Sequence, residues 1–265
     1  MGWRSRKYGP ECRRKSGALW FLRRVTTICL CSLASLTAIQ DTATAGQGYI
    51  TAGMGGGPKA LNSYQGIIYA PFGTFAEDGL IVRAWNKAFR FGYKTSMQRV
   101  MNVPISAIGL SIEVEAGYQF LYPQGRVGVF GGVVWRDHIL TPDDPNSILN
   151  KSRIGGSVTL EAQHTLFSDY GVMGSANYIQ NHDQYWVNFR PYKTISKAWK
   201  FGLDTAVLGG KDYNNVKLGL FVSDYEFSFW TKKRIFIGGQ AGVQFSTTRK
   251  KETTPYLGLH IGYLF

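Results

Sequence analysis

Ile108–Phe120 reads IGLSIEVEAGYQF, and its alternation decides the fold. Ile108, Leu110, Ile112, Val114, Ala116, Tyr118 and Phe120 are apolar, while Gly109, Ser111, Glu113, Glu115, Gly117 and Gln119 between them are small, polar or charged. Successive side chains of an extended strand point to opposite faces, so this stretch has one oily and one ionic face. It is longer than the roughly 5–6 residues usual in soluble sheets and covers the roughly 9–11 needed to cross a bilayer at a tilt. The period returns at 154–166, where Ile154, Val158, Leu160, Ala162 and Leu166 alternate with Ser157, Thr159, Glu161, Gln163 and Thr165. It returns again at 235–245.

About twelve such segments follow Gly46, at 47–56, 64–75, 79–94, 106–121, 125–139, 152–166, 170–180, 184–195, 198–208, 213–229, 234–246 and 255–265. Tight turns are expected at 76–78, 122–124, 167–169, 196–197 and 230–233. Longer polar loops are expected at 58–63, 95–105, 140–151, 181–183, 209–212 and 247–254. Short turns at one rim and longer loops at the other fit an outer-membrane barrel, and an even strand number puts both ends of the sheet at one rim. In the last segment Leu257, Leu259, Ile261, Tyr263 and Phe265 alternate with Gly258, His260 and Gly262, which resembles the closing strand of bacterial outer-membrane proteins. Inside lipid every backbone N–H and C=O needs a partner, and a closed sheet supplies them all. The expected fold is therefore all-β: an antiparallel up-and-down transmembrane β-barrel of about twelve strands over residues 46–265.

A cleavable signal peptide is expected over residues 1–45. Residues 1–24 are basic, Val25–Gln40 is uncharged and mostly apolar, and Ala43-Thr44-Ala45 supplies a small-residue cleavage site. A short membrane anchor is the alternative. All three cysteines, Cys12, Cys29 and Cys31, lie in this leader, so the exported part would carry no disulfide. The leader's eight Lys/Arg face only Glu11 and Asp41, which leaves the remainder at +7 of the whole chain's +13. That charge is mixed along the chain, which suits a surface beside acidic lipid, lipopolysaccharide or sugar and excludes a nucleic-acid footprint. Beyond the leader no uncharged apolar run reaches the roughly 20 residues of a membrane helix.

If the apolar face meets lipid, the other face lines a lumen. Arg83, Lys87, Arg126, Arg136, Arg153, Arg190, Lys200 and Lys217 are then inside with Glu113, Glu115, Glu161 and Asp204, and with Phe130, Trp186 and Phe236 as space-filling rings. A barrel of this size is narrower than a porin of roughly 16–18 strands, so these charges should pair and largely fill the lumen. A narrow path for anions or sugar hydroxyls is the alternative. No metal, cofactor or catalytic residue is expected. His138, His164, His182 and His260 lack zinc-like spacing. His260 should face the lumen and His138 the mouth, where a polar histidine is the simpler reading than a base for a serine. Thr141-Pro142-Asp143-Asp144-Pro145 reads as turn chemistry before it reads as a calcium loop. Gly53–Gly57 lacks the lysine and helix of a phosphate loop. Arg249-Lys250-Lys251 is a loop tip able to touch lipopolysaccharide phosphates.

Several short motifs, in order, resemble the BcsS family of cellulose biosynthesis proteins. They are Glu77-Asp78-Gly79-Leu80-Ile81-Val82-Arg83, Gly117-Tyr118-Gln119, Thr141-Pro142-Asp143-Asp144-Pro145, Tyr185-Trp186, the turn at Gly209–Tyr213, Gly219-Leu220-Phe221 and Pro255-Tyr256. The similarity spans most of the chain after the leader; Gly202-Leu203-Asp204 departs from it, standing where Gly-Pro-Glu would be expected. The resemblance implies a non-enzymatic outer-membrane accessory to exopolysaccharide production, with a glucan polymer and the cellulose synthase or export machinery as partners. Trp186 is the candidate for stacking on a sugar ring. Arg83, Glu113, Glu115, Arg136, Glu161, Arg190, Asp204, Lys217 and His260 are the candidate polar residues of the lumen. Two other functions are weighed against it: a narrow channel for small anionic or sugar solutes, and a membrane-embedded lipid hydrolase or acyl-modifying enzyme.

Overall fold

The computed structural model describes residues 46–265, apart from residues 59, 98–99, 146, 148, 197–198, 212, 228–233 and 248–251. The leader over 1–45 and the basic tip at 249–251 lie outside the described residues.

Twelve strands follow one another: β1 (Gln47–Gly57), β2 (Ala60–Ala70), β3 (Gly79–Met97), β4 (Val100–Tyr122), β5 (Gly125–Thr141), β6 (Arg153–Phe167), β7 (Tyr170–Ile179), β8 (Gln184–Ser196), β9 (Trp199–Gly210), β10 (Tyr213–Phe227), β11 (Arg234–Ser246) and β12 (Thr253–Leu264). Each pairs antiparallel with its chain neighbours, and β1 pairs with β12 to close the barrel. We call the end that holds Gln47 and Phe265 the terminal rim and the other end the far rim.

The period-two alternation sets the two faces. On β4, Val114 is 51% exposed while its neighbours Glu113 and Glu115 are buried. Ile112, Val133, Val158, Leu160, Leu203, Leu218, Leu220, Leu257, Leu259 and Ile261 are likewise exposed on the outside. A contiguous apolar belt of this kind marks a surface covered by something other than water. Near the terminal rim the belt is fringed by aromatic pairs: Tyr118–Phe120 at 4.7 Å, Tyr122–His164 at 5.7 Å and Phe167–Tyr170 at 5.1 Å between centroids. Such girdles sit at the lipid–water interface of membrane barrels.

Strand boundaries depart from the sequence expectation at three places. Residues 58–63 and 95–105 were expected as loops, yet β1 and β2 are joined by residues 58–59 alone and β3 runs to Met97 before β4 begins at Val100. The alternation carries on there: Phe91 pairs with Ala107 and Tyr93 with Ile105, all on the inner side. The β3–β4–β5 wall therefore stands taller than the rest at the far rim. The second strand covers 60–70 rather than 64–75, because Pro71 has no N–H to continue the ladder. Long connections at the far rim are consequently fewer than expected, the chief one being residues 142–152.

Several lumen rings lie along the wall over a glycine of the next strand. A Cβ on Gly66 would stand 2.2 Å from Cε3 of Trp85, and one on Gly53 would stand 2.5 Å from Cζ of Tyr64. The missing side chain makes the room that each ring fills.

Candidate functional site: the charged lumen

Three arginines reach along the inner wall, each joining strands three apart. Arg83 on β3 donates from Nε to Glu115 Oε2 on β4 at 2.7 Å and from Nη1 to Glu161 Oε1 on β6 at 2.7 Å. Its guanidinium lies 3.6 Å over the ring of Phe130. Glu115 also accepts from the Thr159 hydroxyl at 2.7 Å, and Asn177 Nδ2 donates to that hydroxyl at 2.8 Å. Nearby, Lys87 Nζ pairs with Glu113 Oε2 at 2.5 Å.

The second arginine is Arg190 on β8. Its Nε donates to Asp204 Oδ1 on β9 at 2.6 Å, and its Nη2 donates to Gln240 on β11. Asp204 is 1% exposed and accepts two more bonds, from Asn188 Nδ2 at 3.1 Å and from the Tyr256 hydroxyl at 2.7 Å. Lys217 stands above the same group, its Nζ 5.1 Å from the Tyr256 ring centroid. A carboxylate this deep is tolerable only because cations and donors surround it. The third arginine, Arg136 on β5, donates from Nη1 to Gln184 at the start of β8 and lies 5.3 Å over Phe89.

Two connections fold into the barrel. From the terminal rim Phe75 packs, like Ile68, against the buried cluster of Ala70, Ile81 and Phe130. It is pinned by its N–H to Gln47 Oε1 at 2.8 Å and by Gln119 Nε2 to its carbonyl at 3.1 Å. At the far rim the 142–152 loop lays Leu149 on the buried cluster of Ile105, Ala107 and Leu140, which Phe91, Tyr93 and Val103 also cover. The Tyr93 hydroxyl donates to Asp144 Oδ2 at 3.1 Å and approaches Ser147 Oγ at 3.2 Å. Asp144 thus serves the fold of the loop, and no cluster of three metal-ligating side chains occurs among the described residues. Tyr93→Phe should release this latch and raise the cleavage rate of the loop in limited proteolysis several-fold; unchanged cleavage would refute the latch.

Trp186 faces the lumen, paired with Asn177, and is 37% exposed. His260 also faces inward, over Gly238. His138 sits 5.4 Å from Phe89 and 6.4 Å from Phe91 between centroids. His164 lies outside, stacked on Tyr122. Phe236 turns its ring to Tyr49 at 6.1 Å. Lys200 lies 5.5 Å over Tyr192, and Arg126 is exposed beside the terminal rim. The neutral residues Asn188, Gln240, Gln184, Thr159 and Tyr256 complete these networks. Their strand phase put them inside, but phase alone gives no partner.

A closed cylinder of twelve strands, apolar outside and ionic within, is a transmembrane barrel of the outer membrane. The chain belongs to the family described as cellulose biosynthesis protein BcsS, whose profile matches residues 52–265. It is a barrel associated with cellulose biosynthesis.

No curated protein matches the chain. Among solved structures it is similar in shape to the KdgM porin, with 12% identity over 81% of this chain and 98% of that one and a TM-score of 0.48. The translocator domain of the autotransporter NalP from Neisseria meningitidis matches at 12% identity over 91% and 97%, with a TM-score of 0.49. The beta domain of the Bordetella autotransporter BrkA matches at 9% over 83% and 99%, with a TM-score of 0.48.

Proposed function

We propose that the barrel is a non-enzymatic accessory in the export or surface attachment of a glucan, cellulose by family. The polymer would meet the lumen at Trp186, and the synthase or export machinery would meet a rim. The observation that carries this reading is an indole ring left 37% exposed inside a polar lumen. It stands on the same face of β8 as Gln184 and Asn188. A flat apolar surface beside amides suits a sugar, which offers C–H groups on its ring faces and hydroxyls at its edges.

The placement of His138 among phenyl rings supports a role without catalysis at that position, while His260 faces the lumen over Gly238. The struts and inward connections also argue against free solute passage. No conductance step is expected in planar bilayers, and a reproducible one would favour the channel reading.

Deleting the gene should lower the cellulose retained at the cell surface. A Trp186→Ala copy should fail to restore it, and should bind cellohexaose roughly threefold to tenfold more weakly in titrations of the folded barrel. Normal cellulose yield and attachment after deletion would end the proposal.

A further inference from the structure

Arg136 on β5 and Arg153 on β6 are direct cross-strand partners, and both face the lumen. Like charges placed opposite one another repel, so such a pair persists most readily with an anion between them. Among the described residues no carboxylate lies within ion-pair distance of either. Arg136 is 6% exposed; its Nη1 reaches only the neutral Gln184, and its Nε has no partner. Arg153 donates from Nη1 only to the carbonyl of Asn181, at 3.5 Å. Glu113 on the neighbouring strand is within electrostatic reach of Arg136, but its ion pair is with Lys87, so neither arginine has a carboxylate of its own. Two buried acceptors complete the surroundings: Glu113 Oε1 and Asn181 Oδ1, both without a partner.

Two guanidinium groups ask for an oxoanion, and their planar forks bind one bidentately. Two free acceptor oxygens ask for hydroxyl donors. We infer that the far half of the lumen holds a binding site for a hydroxylated oxoanion, its acid group between Arg136 and Arg153 and its hydroxyls toward Glu113 and Asn181. The class is an acidic saccharide or hydrogenphosphate. The site stands on these charges alone and would survive the loss of the glucan reading.

The test is isothermal titration of the full folded barrel in detergent with sodium glucuronate, sodium phosphate, glucose, and sodium chloride at matched ionic strength. Saturable binding of glucuronate or phosphate, absent with glucose and chloride, is expected. Arg136→Gln and Arg153→Gln should each weaken it at least tenfold, while Arg126→Gln at the terminal rim should leave it unchanged. Tighter binding of glucuronate than of phosphate, weakened by Trp186→Ala for glucuronate alone, would identify the anion as one borne on a sugar. The reverse order would identify free phosphate. If Arg136→Gln does not fold, the half-buried Arg153→Gln decides. No saturable binding beyond chloride, or equal affinity in the arginine variants, would mean that the two arginines are merely hydrated and would overturn the inference.

Discussion

Asp204→Ala should destabilise the folded barrel by about 3–5 kcal/mol, the range for removing one member of a buried ion pair. Asp204 accepts from Arg190, Asn188 and Tyr256, with Lys217 close above. Its loss leaves two cations in the wall without their anion and two donors without an acceptor. Much of the cost is therefore the stranded charge rather than the lost bonds. Replacing Arg190 and Asp204 together with leucine should recover part of the loss, which a double-mutant cycle would show as strong coupling. Urea titrations of barrels folded into lipid vesicles measure this directly. A single-mutant loss below about 1 kcal/mol would refute the hub, because surface pairs are worth no more than that.

Val114→Arg should cost about 2–4 kcal/mol in the same assay, the depth-dependent penalty for a cation on the lipid face near the bilayer midplane. Val114 pairs with Ala84 and Val133 in the middle of the apolar belt, one residue from the buried Glu113 and Glu115. Chemistry thus reverses within a single step along β4. Full tolerance of arginine at position 114 would show that this face meets water, and the membrane assignment would fall with it.

The strands were legible because alternation is a local property. The phase that puts Ile112 and Val114 outside also put Glu113 and Glu115 inside, with no tertiary information. Glycine spacing and the aromatic fringe agreed with it. Less was legible where distant segments meet. Nothing local tells Arg83 to prefer Glu161 over other inner carboxylates, since that choice depends on the stagger that brings β3 and β6 to a common height. Phe75 reads as the end of a strand, because its inward turn depends on Pro71 and on packing against Ala70, Ile81 and Phe130. The 95–105 stretch reads as a loop because the apolar cover of Val103 and Ile105 comes from distant residues, Leu140 and Leu149 among them. Local pattern gave the two faces, and three-dimensional closure gave the partners.

One pairing differs in kind from the rest. Every ladder but one joins neighbours in the chain, so it can zip from a turn with little loss of chain freedom. The exception links Tyr49–Gly56 with Leu257–Leu264, and glycines recur on both sides of it at Gly53, Gly55, Gly56, Gly258 and Gly262. With few side chains to interlock, this seam depends mainly on backbone bonds, helped by the Thr51 hydroxyl donating to the Ile261 carbonyl at 3.1 Å. Its closure spans the whole barrel chain, so it carries the largest loss of chain freedom of the twelve ladders, as the final stave of a cask bears the fit of all the others.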